Sequence, residues 1–195
     1  MNESKVFIWI FNFISMILNE LYKHAGESII MAILIMICMQ DVEDYGIKKL
    51  FLKTANRIRK DKNFRMKGYT ALYVSLLTFE TILGRSRLDD PLINVIGNWS
   101  FGNFDNAENF LLFIPFGILF SWHLKLDKTS MGYIKIAFKI SLLTIIVSIS
   151  IELMQFVFSF GTFQLTDIVM NWLGGTIGAI LFLIVDKVKR NSKKI

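Results

Sequence analysis

The sequence predicts an all-α fold: a polytopic transmembrane helical bundle of about six helices. Three observations carry that expectation. Of 195 residues, 53% are hydrophobic, and mean hydropathy is +0.49, leaving too little polar surface for a soluble domain of this length. Uncharged apolar runs recur along the whole chain. The remaining charges are segregated between loops as a membrane topology requires. The same composition excludes a secreted disulfide scaffold, a disordered tail and an ordinary cytosolic enzyme. The one cysteine, Cys38, allows no internal disulfide. With it, His24 and His123 are too few for a His-rich zinc site.

Six segments are candidates to cross or enter a bilayer: residues 6–22, 27–42, 68–85, 108–124, 133–158 and 165–186. A full helical span needs about 20 mainly apolar residues, which the last four approach or meet. The first two are weaker, so four core helices with a shallow or re-entrant N-terminal hairpin is the alternative. The first segment has Lys5 before an apolar Val6–Leu18. No good small-x-small cleavage site follows, so it is expected to be retained rather than removed as a signal peptide.

Charge sets the orientation. Lys48–Lys67 carries nine cations: Lys48, Lys49, Lys53, Arg57, Arg59, Lys60, Lys62, Arg65 and Lys67. The tail after Asp186 carries Lys187, Lys189, Arg190, Lys193 and Lys194, and Lys125, Lys128 and Lys135 lie in and beside the link between the fourth and fifth segments. Alternating helices place these regions on one side and the acidic residues Glu20, Glu27, Asp89, Asp90, Asp105 and Glu108 on the other. The positive side is cytoplasmic, so both termini are expected inside. The basic stretch fits an anionic leaflet surface, with membrane lipids as partners, better than nucleic acid. The organisation that follows is an N-terminal helical hairpin and basic cytoplasmic loop over 1–67, a transmembrane core over 68–186 and a basic tail over 187–195.

Ionisable groups within membrane helices are costly, and each is a hypothesis about function. Glu80 and Arg85 close the third segment, Asn109 opens the fourth, Glu152 and Gln155 lie in the fifth, and Asp167 and Asn171 begin the sixth. The alternating topology puts all of them in the outer half of the membrane. Glu152 and Gln155 are i,i+3, and Asp167 and Asn171 are i,i+4, so each pair shares a helix face. Asp167 also suits a helix N-terminus as a cap. Burying Arg85 alone is expensive, so it is expected within salt-bridge or one-water reach of Glu152 or Asp167. Pro115 removes a helical hydrogen bond and, with Gly117, suggests a kink. Gly174, Gly175 and Gly178 make a small-residue face for packing within the bundle, with homodimerisation second.

Four blocks in order resemble the VanZ-like family. They are Thr81-Ile-Leu-Gly-Arg85, Asn109-Phe-Leu-Leu-Phe-Ile-Pro115-Phe-Gly117, Glu152-Leu-Met-Gln155, and Asp167-Ile-Val-Met-Asn171-Trp-Leu-Gly174-Gly175-Thr-Ile-Gly178. The resemblance covers roughly residues 68–186; the first 65 or so residues carry none of these blocks. Carried over residue by residue, it selects Arg85, Asn109, Pro115, Gly117, Glu152, Gln155, Asp167, Asn171, Gly174 and Gly178. Many relatives have an Arg shortly before the Asp-containing helix, where this chain reads Gly161-Thr162-Phe163-Gln164. The resemblance implies a bacterial plasma-membrane protein with a role in lowering susceptibility to lipoglycopeptides such as teicoplanin.

Two chemistries suit the polar layer. In the leading one it binds without catalysis. Arg85 holds an anionic group through its planar fork, Asn109, Gln155 and Asn171 supply neutral hydrogen bonds, and Glu152 and Asp167 balance charge or accept from an amine or hydroxyl. The ligand would be a lipoglycopeptide or a lipid-linked envelope precursor. The alternative is an intramembrane enzyme on a lipid-linked substrate. In it Glu152 and Asp167 divide acid and base roles or share a divalent cation with Asn171. No cofactor is expected, because G-x-x-x-x-G-K-[ST], H-E-x-x-H and G-x-S-x-G motifs are absent, as is an internal transporter-like repeat.

Overall fold

The computed structural model describes residues 23–40, 47–99, 104–126 and 132–192, together with Phe11, Asn12, Ser15 and Asn19. The expected segment 6–22 lies largely outside the described residues. Those described form six α-helices and no strand. They are α1 (Ala25–Cys38), α2 (Ile47–Lys60), α3 (Lys62–Thr78), α4 (Phe104–Leu126), α5 (Tyr133–Phe158) and α6 (Leu165–Asn191), with a π-helical turn, Phe79–Leu83, extending α3. The chain divides into two compact units, residues 1–84 and 85–195.

Three helices among the described residues are long and apolar enough to cross a membrane: Phe104–Lys125, Tyr133–Phe158 and Leu165–Asn191. The fifth expected segment matches its helix end for end; the fourth and sixth are longer than expected. α3 begins at Lys62, ahead of the expected start at 68, because Asp61 caps it. The Asp61 carboxylate accepts from the backbone N–H groups of Asn63 at 2.8 Å and Phe64 at 3.2 Å, satisfying donors a helix start otherwise leaves open. α3 thereby takes in Lys62, Arg65 and Lys67, and only its later part is apolar. α1 has the apolar character expected of 27–42 but only 14 residues.

In the first unit, Ala32 and Met36 of α1 pack with Phe64 and Ala71 of α3, and Ile58 of α2 joins them. The Gln40 amide donates to Thr54 Oγ1 at 2.7 Å, tying the end of α1 to α2. Ile29, Ile30 and Leu34 of α1 are half exposed or more.

In the second unit, α5 and α6 run antiparallel through a ladder. Ile136 and Ile140 of α5 cluster with Leu183 and Ala179 of α6. Higher up, Thr144 lies against Gly175, and Ser148 Oγ accepts from Asn171 Nδ2 at 2.9 Å. At the top the carboxylates of Glu152 and Asp167 interact electrostatically. Each step of four back along α5 meets a step of four on along α6, about one helical turn. The ladder grades from aliphatic at one end to charged at the other.

α4 runs parallel to α6, and their backbones nearly touch. A Cβ on Gly174 would collide with the Phe110 carbonyl, one on Gly178 with the Ile114 carbonyl, and one on Gly117 with the Gly175 carbonyl. Gly174 and Gly178 thus face the α4 backbone within the second unit. Pro115 sits on an exposed face, and α4 continues through it to Leu126.

Candidate functional site

The polar layer is built at the end of the second unit where α5 stops and α6 starts. α5 ends at Phe158 and reverses through Ser159, a non-glycine residue with φ of 56°. Phe160 N–H returns to the Gln155 carbonyl at 2.9 Å. The turn 159–164 then pairs with the loop 85–99. Leu88 N–H donates to Ser159 O at 2.8 Å, Phe163 N–H to Pro91 O at 2.9 Å, and Leu165 N–H to Val95 O at 2.9 Å. The Asn106 amide at the start of α4 donates to Asn98 O at 2.6 Å, anchoring the other end of that loop. These loop backbones thus find partners in one another.

Beneath this cap lie Glu152, Gln155, Asp167, Asn171 and Asn109, all buried, with Glu152 only 1% exposed. Glu152 Oε2 accepts from Gln164 N–H at 2.8 Å, a charge-assisted bond across the turn. Asp167 hydrogen-bonds with the side chains of Asn109 and Thr166. Among the described residues, Asp167 Oδ1 and Asn171 Oδ1 are buried and have no hydrogen-bond partner. Native interiors rarely leave such atoms unsatisfied, so both are acceptors open to a donor.

The charges of the layer act on one another. Asp167 is repelled by Asp105 of α4 and attracted by Arg85, and Glu152 is repelled by Asp167 and attracted by Arg85. Arg85 lies in coil beyond the π turn and is exposed, a correction to its expected place at a helix end. Water at the rim offsets the burial cost that a place inside the helix would carry. Gly161 makes room for it. With φ of +146°, Gly161 occupies a conformation that side chains rarely adopt, and a Cβ there would stand 3.3 Å from Arg85 Nη1 and 3.6 Å from the Gln155 amide carbon.

Other expectations are adjusted as well. The N-cap of α6 is Gln164, with no side-chain cap bond. Asp167 lies in the first turn, where the positive helix end still favours it, but its carboxylate turns to α4 and not to the backbone. Glu80 falls in the π turn of the first unit, buried. Sequence reasoning missed Ser148 and Thr166, both fully buried. Ser148 was legible: Thr144, Ser148 and Glu152 recur every four residues within an apolar helix, and this stripe becomes the buried face. Among the described residues, no group of three or more His, Cys, Asp or Glu side chains is arranged to hold a metal.

Apolar helices with a buried polar layer at one end define an integral membrane protein. The VanZ/LLP1 family model matches residues 28–186, and the chain belongs to that family. The match begins well before the four blocks do, so it takes in most of α1 and all of α2. The chain is also similar to Protein VanZ of Enterococcus faecium, 33% identical over 96 residues, which is 48% of this chain and 53% of that relative. The chain thus spans about half the length of the curated relative it matches. No solved structure matches it.

Proposed function

We propose that this is a multi-pass protein of the bacterial plasma membrane, with both termini cytoplasmic and its polar layer facing outward. The layer binds the polar part of a lipoglycopeptide or a lipid-linked envelope precursor and so lowers susceptibility to teicoplanin. The observation that carries the reading is the convergence of Glu152, Gln155, Asp167, Asn171 and Asn109 under one loop cap, with Arg85 at its rim. Arg85 grips an anionic group from the rim; the open oxygens of Asp167 and Asn171 accept from an amine or hydroxyl. An amphiphilic ligand keeps its acyl part in the bilayer and its polar part in this layer.

Orientation is tested first. A reporter active only in the cytoplasm should work when fused after Ile195 and fail when inserted near Asn103; the reverse result sinks the outward-facing site. Arg85→Ala should then abolish most of the protection against teicoplanin at matched membrane levels, and Arg85→Lys should restore expression better than protection, because an ammonium lacks the fork. Unchanged protection in Arg85→Ala, Glu152→Ala and Asp167→Ala alike would refute a role for the layer.

The electrostatic contact between Glu152 and Asp167 favours a second reading, an intramembrane enzyme acting on a lipid-linked substrate. Glu152→Gln separates the two. It keeps an acceptor for Gln164 N–H and should leave a binding protein partly active, whereas an acid–base enzyme should lose turnover.

A further inference from the structure

The loop 85–99 covers the polar layer with its backbone and leaves much of its apolar content unburied. Its charges, Arg85, Arg87, Asp89 and Asp90, fall in the first part, and residues 91–99 carry none. In that uncharged part Leu92, Ile93, Ile96 and Trp99 are half exposed or more, Ile93 by 74% and Ile96 by 66%. The peptide groups beneath them are nevertheless engaged. Pro91 O and Val95 O accept from Phe163 and Leu165 N–H, and Asn98 O accepts from the Asn106 amide. Gly97 N–H donates to Asn94 O at 3.2 Å, and Leu92 N–H donates to the Asp90 carboxylate at 3.0 Å. Apolar side chains displayed over satisfied peptide groups suit a boundary poor in water, where an open backbone would be costly. Leu165, beside Val95, is exposed too, so the apolar surface continues from the loop onto α6.

The depth of this part of the loop is set by α6. Gly97, with φ of 76°, lies so close to Thr166 that a Cβ would collide with that side chain. Thr166 stands in the first turn of α6, and Asp186 lies about 30 Å along the same helix at 1.5 Å per residue, which is about the thickness of the hydrocarbon core. Between Asp167 and Asp186 the helix carries no charge. With Asp186 and its cations Lys125 and Arg190 at one boundary, Thr166 falls at the other, and Gly97 with it. The charged part of the loop stands further out. Leu88 N–H pairs with Ser159 O beyond the end of α5, about 10 Å past Glu152 along that helix. We infer that residues 92–99 are an interfacial anchor, with Ile93, Ile96 and Trp99 seated among lipids at the boundary of headgroups and acyl chains, and with Arg87 and Asp89 in water. Tryptophan is favoured at that depth. Contact of this loop with lipid requires neither a ligand in the polar layer nor a particular orientation of the protein.

The test compares the two parts of the loop. Full-length protein carrying Cys38→Ser, which removes the native cysteine, receives a single new cysteine by Ile96→Cys, Ile93→Cys or Asp89→Cys. Each is labelled with a small polarity-sensitive dye and reconstituted into phosphatidylcholine vesicles, and unchanged helical circular dichroism confirms the fold. Lipid bearing a nitroxide high on its acyl chain should quench the dye at Ile96 and Ile93 about threefold more than at Asp89, and iodide on both sides of the membrane should quench it about threefold less. Equal iodide quenching at the three positions would overturn the anchor and make the whole loop a water-exposed connection. Shielding of Ile96 and Ile93 from both quenchers would overturn it as well, because a second copy of the chain, and not lipid, would then cover the loop.

Discussion

Helix α6 has an aspartate near each end, and the two are treated in opposite ways. Asp186 accepts from three donors at one oxygen: Tyr133 hydroxyl at 3.0 Å, Arg190 Nε at 3.1 Å and Lys125 Nζ at 3.4 Å. Lys125 also lies 4.0 Å over the Tyr133 ring. α4, α5 and α6 are thereby pinned together by a carboxylate with two cations, below an aliphatic core of Ile136, Ile140, Ala179 and Leu183. Asp167 is more deeply buried, has two other carboxylates acting with or near it, and faces one exposed guanidinium. The first end is electrostatically complete, as a structural joint should be. The second leaves buried acceptors open in an apolar setting, an arrangement that costs stability.

The comparison is most easily destroyed by removing the scaffold common to both ends. Gly178→Leu drives a side chain into the Ile114 carbonyl. It should cost about 3 kcal/mol or more, as overpacking without room to relax does, and the detergent-solubilised protein should melt far below wild type. A near-normal melting temperature would show that α4 and α6 are not in backbone contact.

Next come substitutions at the open end. Glu152→Ala leaves Gln164 N–H without its acceptor and should cost about 1–3 kcal/mol, together with loss of the proposed protection. Asp167→Asn keeps the shape and removes a charge that Asp105 and Glu152 oppose. It should leave thermal stability unchanged or raised while protection falls. A destabilised Asp167→Asn would make that end a structural joint like the other and erase the contrast.

The Asn171–Ser148 bond sharpens the comparison midway along the ladder. A double-mutant cycle with Asn171→Ala and Ser148→Ala should return a coupling of about 1 kcal/mol, and zero coupling would remove that rung. The smallest effect belongs to the closed end. Asp186→Ala leaves two partly hydrated cations and should cost about 1 kcal/mol or less, with protection intact at matched membrane levels. Loss of protection there, alongside wild-type behaviour of Asp167→Ala, would invert the assignment of roles.

Much of this was legible in the residues. The span over 133–158 is a long apolar run bounded by Gly132 and the turn at Ser159, and such runs declare themselves by length alone. Glu152, Gln155, Asp167 and Asn171 stood out because polar groups are rare in apolar helices, and all four are buried together. Ser148 was overlooked because serine is ordinary in membrane helices and only its four-residue spacing marks it. The start of α3 was misplaced because hydropathy marks where apolar residues begin, whereas the Asp61 cap marks where the helix does.

Composition and local spacing were enough to say which segments are helical and apolar, and which residues are too polar to lie there without a reason. Neither property needs a partner elsewhere in the chain. What those residues meet was left to packing. That Gly178 faces a carbonyl, that Gly161 opens a berth for an exposed Arg85, and that Asp186 is closed by three helices while Asp167 stays open all depend on how α4, α5 and α6 stand beside one another. That register is set by glycine contacts and a ladder between residues far apart in the chain, and no local pattern encodes which rung of one helix meets which rung of the next.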